Sequence, residues 1–222
     1  MKTLFREVKH ALKLNFKPGL ILQAVAISLL ICYYNFPYVQ QKLVALTDLK
    51  AQSPYLFSGL STALFAGGLP YIILSAMKRV SFNINVLLFM LLFWFWKGTE
   101  IEFFYSFQAK LFGSSGDLSV IIKKVLFDQF VFSTFYAVPC IVIIYLWKDA
   151  NFSIRHWKAG LNSNVFKVGI PTVLVSNWLV WIPACAIIYS MPTPLQVPLS
   201  NIIGCFFVLM IEVLCKPKCA DA

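Results

Sequence analysis

Charge is what this chain has least of. Its 222 residues include only nine Asp and Glu beside 19 Lys and Arg, so 13% are charged. A soluble domain typically carries about 25%. So little charge cannot cover a water-facing surface around one core, which excludes an ordinary soluble α-domain. Histidine is nearly absent: His10 and His156 both fall outside the apolar runs. That leaves no imidazole at membrane depth for a proton relay or an intramembrane hydrolase. The sequence has no H-E-x-x-H, P-loop, paired-Asp signature or serine nucleophile motif, so the chain is not expected to be an enzyme. It has six cysteines but no C-x-x-C and no Cys/His cluster, so neither a metal nor a cofactor is expected. Cys32, Cys140, Cys185 and Cys205 lie inside apolar runs and read as small packing residues. Cys215 and Cys219 flank Lys-Pro-Lys, where acylation beside a membrane is the sharper alternative.

What is abundant is apolar: 59% of residues are hydrophobic and the mean hydropathy is +0.76. Six apolar stretches lie near 20–34, 55–77, 84–96, 125–147, 168–189 and 197–214. Several approach or exceed the ~20 residues that a helix needs to cross hydrocarbon. The expected fold is all-α, a polytopic transmembrane bundle of four to six spans. Residues 1–18 would form an amphipathic basic helix, 19–215 the bundle and 216–222 a short tail. Leu4, Phe5, Val8 and Leu12 share one helical face, and Lys2, Arg6, Lys9 and Lys13 another. That pattern suits an anionic membrane surface. No A-x-A-like site follows, which argues against a cleavable signal peptide. Lys outnumbers Arg and Glu7 is present, unlike a mitochondrial transit peptide. Pro18 and Gly19 are expected to end this helix.

The net charge of +10 would suggest nucleic acid in a soluble protein. Here the basic residues fall between apolar runs, so the lipid bilayer and not nucleic acid is the expected partner. Six spans place Lys2, Arg6, Lys9, Lys13, Lys17, Lys78, Arg79, Lys148, Arg155, Lys158, Lys167, Lys216 and Lys218 on one side. Lys42, Lys50, Lys97, Lys110, Lys123 and Lys124 fall on the other. The positive-inside rule then puts both termini on the cytoplasmic or matrix side.

In the second run, Gly59, Ala63 and Gly67 form a small-xxx-small ladder that lets another helix backbone approach. Gly68 and Pro70 predict a kink. The third run, 84–96, is too short for a span and continues through Lys97, Glu100 and Glu102. One reading is a long helix with those charges in the headgroups; the other is a re-entrant or surface hairpin. Trp94, Trp96, Trp147, Trp178 and Trp181 are expected as interface anchors. For Trp178, Trp181 and Pro183, a proline-broken helix lining a cavity is the sharper alternative. No internal repeat supports an inverted-repeat transporter.

Ionisable and polar groups at membrane depth are the functional candidates. Gln129, Ser133, Tyr136 and Cys140 share a face of the fourth span, with Asp128 beside it. Asn201, Cys205, Val208 and Glu212 share a face of the sixth. Asp128, Gln129, Ser133, Asn177, Asn201 and Glu212 are the pore-lining candidates. The alternatives are plain: Asp128 pairs with Lys124 and Glu212 with Lys216, each at i±4 near a helix end, and Asn177 bonds across helices.

Two stretches carry a family likeness. Lys123-Lys-Val-Leu-Phe-Asp128-Gln129-Phe-Val-Phe-Ser133 resembles a K-K-x-L-x-D-Q-x-x-F motif. Asn177-Trp178-Leu-Val-Trp181-Ile-Pro183, then Pro194-Leu-Gln196 and Asn201, is similar to W-P and V-P-L-Q-x-R blocks. These motifs belong to the small peroxisomal and mitochondrial inner-membrane protein family named for a 22-kilodalton peroxisomal membrane protein. The likeness covers about two-thirds of the chain. Ile182 splits the Trp-Pro pair, Thr134 stands where the family has proline, and 84–119 reads as an insertion. The resemblance implies an integral membrane protein linked to channel-like passage of small solutes.

The expected function is a weakly selective path for small solutes, formed by one chain or a homo-oligomer. The alternative is a non-transporting scaffold or assembly factor. An intramembrane enzyme would need Glu100 or Glu102 to face one cavity with Asp128. A bacterial chain would sit in the plasma membrane, a eukaryotic one in the mitochondrial inner or peroxisomal membrane.

Overall fold

A computed structural model describes residues 2–215. Cys219 lies outside the described residues, as do the side chains of Glu212 and Cys215. The fold is an all-α polytopic bundle, with no strand among the described residues.

Helix α1 spans Lys2–Asn35 without interruption. Pro18 and Gly19 do not end it, contrary to the sequence expectation. A proline inside a helix removes its own N–H and crowds one carbonyl, and membrane helices keep their remaining backbone bonds because lipid offers none in exchange. Helix α2, Pro37–Gln52, and helix α3, Pro54–Ala76, both open on proline, whose missing N–H is no loss in a first turn. Helix α4 spans Ile84–Phe112.

Helices α3 and α4 form an antiparallel hairpin. Tyr71 closes its turn by accepting the Asn83 N–H at 2.8 Å and donating toward the Ser81 and Asn83 carbonyls. Glycines set the spacing between the two helices. A Cβ on Gly59 would stand 2.8 Å from the Phe95 ring, and one on Gly67 2.8 Å from the Met90 carbonyl oxygen. Gly98 answers from α4: a Cβ there would collide with the Ser58 carbonyl and lie 2.6 Å from Thr62 Cβ. The ladder of Gly59, Ala63 and Gly67 therefore lies in a helix that packs on α4.

The long-helix reading of 84–112 holds, with one correction. At ~1.5 Å per residue α4 is about 43 Å long, and Lys97 falls near its midpoint rather than at a headgroup end. Lys97 and Glu102 are buried inside the bundle. Internal partners make that depth tolerable.

Helix α5 spans Leu118–Asp149, the short α6 Ile154–Gly160, α7 Val165–Tyr189 and α8 Thr193–Cys215. Helix α8 touches α1, α2, α3, α4 and α7, and α7 packs against α1 and α5. The core runs between them through Ala26, Val180, Ala184, Ile188, Val197 and Ile203, none with measurable exposure.

Three spans change pitch at the same kind of place. π-Helical turns run over Ala63–Gly68, Asp128–Ala137 and Val165–Gly169. Each ends two residues before a proline: Pro70, Pro139 and Pro171. In each, the residue just ahead of the proline donates to the carbonyl five back: Leu69 to Leu64, Val138 to Ser133, Ile170 to Val165. A proline ring crowds the carbonyl four residues back, and a widened turn relieves that crowding while keeping the backbone bonded.

Helices α3, α4, α5 and α7 are each long and apolar enough to cross a membrane. Their outward faces carry Phe135 at 78% and Leu92 at 72% exposure, with Phe103, Leu60 and Leu88 also exposed. Exposed apolar surface on this scale suits lipid.

Replacing Gly98 by Leu should force α3 and α4 apart. The expected cost is roughly 1–3 kcal/mol or more from overpacking, read as a lower thermal midpoint in detergent by circular dichroism. Gly116→Ala, where a Cβ meets nothing within 4 Å, is the control and should leave the midpoint unchanged.

Candidate functional site

Helices α3, α4, α5, α7 and α8 enclose a cavity of about 320 Å³. Its polar wall comes from Lys97 on α4, Asp128, Gln129 and Ser133 on α5, Asn177 on α7, and Ser200 and Asn201 on α8. Trp94, Phe104, Phe132, Tyr145 and Trp181 supply much of the rest. Five of the six pore-lining candidates thus meet at one cavity. The sixth, Glu212, has its side chain outside the described residues.

Asp128 is the centre of the polar wall and is buried, at 6% exposure. Ser133 Oγ donates to its Oδ1 at 3.3 Å and Gln129 Nε2 at 3.1 Å. Tyr189 donates its hydroxyl to Oδ2, and Cys185 Sγ lies 3.6 Å from the same oxygen. The network continues outward. Asn177 Nδ2 donates to Gln129 Oε1 at 3.1 Å, and Trp178 Nε1 donates to the Gln129 carbonyl at 2.9 Å. Across the cavity, Thr62 Oγ1 donates to Asn201 Oδ1 at 2.8 Å, and Asn201 Nδ2 to Ser61 Oγ at 3.0 Å.

The π-turn explains why Asp128 and Ser133 meet. An α-helical period of 3.6 aligns Ser133 with Gln129, four residues back. In the wider turn the residue five back also comes onto the same side, so Asp128 and Gln129 both face the cavity. Tyr136, expected on that face, is exposed instead, and Cys140 is half-buried.

The expected Asp128–Lys124 ion pair does not form. Among the described residues no carboxylate lies within 4.0 Å of the Lys124 ammonium. Its Nζ instead stands 5.8 Å from the centre of the Tyr189 ring, whose hydroxyl holds Asp128. The Asp128 N–H still donates to the Lys124 carbonyl, so the two residues share a side of α5 and both meet Tyr189.

Two other buried charges are paired. Lys50 Nζ lies 2.7 Å from Glu102 Oε2 and donates to the Pro194 carbonyl at 3.2 Å, while Ser58 Oγ donates to Glu102 at 2.6 Å. Lys97 donates to Glu100, which also accepts the Tyr136 hydroxyl at 2.8 Å. Neither Glu100 nor Glu102 lines the cavity with Asp128, so the shared cavity that the intramembrane-enzyme alternative needs is not formed there.

The tryptophans sit in several settings. Trp94 and Trp181 line the cavity, and Trp94 donates to the Tyr145 hydroxyl at 3.0 Å. Trp178 is tied to Gln129. Trp147 packs edge-on against Phe89 and Phe152, and Trp96 is exposed. Trp181 lines the cavity, but α7 runs on through Pro183 without a break, so the proline-broken helix expected as the alternative does not form.

Sequence reasoning missed Lys97, Cys185 and Tyr189 as parts of this site. A signal existed for two of them. Asn177, Trp181, Cys185 and Tyr189 recur every fourth residue along α7, one continuous stripe. Lys97 gave no such signal, because its burial depends on Phe132 and Tyr136, which α5 brings to it.

An all-α bundle with several apolar spans and a polar interior defines an integral membrane protein. No protein-family model, curated protein or solved structure matches this chain.

Removing one partner of a buried ion pair strands the other charge, at a cost of about 3–5 kcal/mol. Glu102→Ala should therefore destabilise strongly by leaving Lys50 unpaired. Lys50→Met combined with Glu102→Leu should recover much of the loss. Thermal melts of the parent protein and the two variants in one detergent decide it: a double variant no better than Glu102→Ala would contradict the pairing.

Proposed function

We propose that this protein is a membrane-embedded, weakly selective path for small solutes, with the central cavity as its constriction. One observation carries the reading. A cavity near the lower end of the ~300–1,000 Å³ range of ligand pockets lies at mid-span, largely apolar but with Asp128, Gln129, Asn177 and Asn201 among its lining residues. Polar side chains in hydrocarbon are costly, and the few that reach this wall mark where a solute would exchange its hydration shell. The likeness of residues 123–133 to the peroxisomal and mitochondrial membrane-protein family supports the same class, since Asp128 and Gln129 of that block are the residues that turn inward. The chain is read as a non-enzyme that acts alone or as a homo-oligomer. The excess of Lys and Arg in alternate loops favours both termini on the cytoplasmic or matrix side.

Reconstituted liposomes loaded with neutral and charged solutes of graded size test this directly. Solutes that fit the cavity should leak, larger ones should not, and Asp128→Asn should change the charge preference of the leak. Absence of flux for every solute, with a stable partner protein recovered in detergent, would favour the scaffold reading instead.

A further inference from the structure

The polar side chains of the central cavity gather toward its buried end and bond to one another. Asp128 is held by four donors, Gln129 bonds Asn177, and Asn201 bonds Thr62 and Ser61. Lys97 reaches the wall with its ammonium held by Glu100. The charged groups at this wall are thus already engaged. The rest of the wall is largely apolar, through Ile101 and Phe104 of α4, Phe132, Val138 and Ile141 of α5, and Trp181 of α7. Apolar cavities stay dry and take apolar guests, and about 150 Å³ is enough for benzene. This one offers about 320 Å³.

Its shape narrows the guest. On α5 the wall runs from Phe132 to Tyr145, thirteen residues, and on α4 from Phe104 back to Trp94, ten residues. At ~1.5 Å per residue those runs are about 15–20 Å long. One leaflet's chains fill half of a ~30 Å hydrocarbon core, a depth of about 15 Å. Drawn out over that length, the volume takes one chain in single file. The cleft also opens to lipid. Val173, on the same wall, is 43% exposed, and Ile141 and Tyr145 are half-buried, whereas Asp128, Gln129, Cys185 and Asn201 at the other end are buried. Tyr145 is followed closely by Trp147 and Lys148, residue types of a membrane interface. Residues 147–170 hold Lys148, Arg155, Lys158 and Lys167 against Asp149 alone, a balance that suits an anionic phosphate headgroup.

We infer that the cleft is a binding site for one acyl chain of an anionic phospholipid. The chain enters sideways from the bilayer between α5 and α7, past Val173. Its headgroup stays at the interface beside the basic 147–170 segment. Its methylenes lie along Ile141, Val138 and Trp181 and end against Phe132 and Phe104, short of the polar cluster around Asp128. The chain fills space that water, with every wall charge already engaged, has little reason to enter. The site stands whether or not the cavity conducts solutes.

Photolabelling of the full chain in lipid nanodiscs is the test. The probe is phosphatidylglycerol carrying a diazirine near the end of one acyl chain, and labelled peptides are mapped by mass spectrometry. The wall residues Phe104, Phe132 and Trp181 should be labelled, along with outward residues such as Leu92 and Phe135 that report ordinary contact with the bilayer. Two substitutions fill the cleft: Ala137→Phe, and Gly204→Leu, where a Cβ would meet Trp181 at an ordinary 3.9 Å. Either should lower the wall labelling about tenfold, the loss expected when roughly two methylenes can no longer be buried, and leave Leu92 and Phe135 labelled as before. A palmitate carrying the same diazirine is the competing arm. Wall labelling by palmitate but not by phosphatidylglycerol would overturn the lipid assignment. So would labelling confined to the outward residues in the parent protein, a result that needs no variant to fold. Undiminished wall labelling in both folded variants would overturn it as well. Solute flux is measured separately, and its presence or absence leaves the labelling pattern unchanged.

Discussion

Hydrocarbon gives a polar atom nothing to bond, and the interior of this bundle is organised around that constraint. Lys50 is met by Glu102 and Pro194, Lys97 by Glu100, Asp128 by Tyr189, Ser133, Gln129 and Cys185, and Asn201 by Thr62 and Ser61. Apart from the Lys97–Glu100 pair within α4, each set joins different helices, so these polar contacts also hold the bundle in register. Where hydrophobic association between helices is weak because lipid is as apolar as leucine, such bonds and close glycine contacts take over as the cohesive terms.

The same constraint shapes the backbone. Proline in a spanning helix would leave a carbonyl crowded and unbonded. Three spans absorb it by widening into π-turns immediately upstream of Pro70, Pro139 and Pro171. In α5 the widening does more than relieve crowding. It brings Ser133 onto the same side as Asp128 at the cavity, so a local backbone accommodation sets the chemistry of the site. The cavity then follows from geometry: α3 and α4 are drawn tight by Gly59, Gly67 and Gly98, while the aromatic residues of α4 and α5 hold those helices further apart.

Much of this was legible in the residues. The helical spans follow from apolar runs, and the polar cluster from finding Asp128, Gln129, Ser133, Asn177 and Asn201 where hydrocarbon is expected. The site was less legible in its partners. Lys97, Glu100 and Glu102 follow a thirteen-residue apolar run, which by itself reads as a helix leaving the membrane. Their burial needs Lys50, Ser58 and Tyr136, residues 36 to 52 positions away in sequence. Pro18 and Gly19 look like a stop signal, yet α1 runs through them.

Sequence alone determined that lipid surrounds this chain, that its elements are helices and that Asp128, Gln129, Ser133, Asn177 and Asn201 lie within apolar spans, because composition and periodicity are local properties that solvent choice reads directly. The tertiary structure decided which of those side chains face one another. Pairing across helices depends on rotation and register, and here both were set by glycine contacts and π-turns that no single helix reveals.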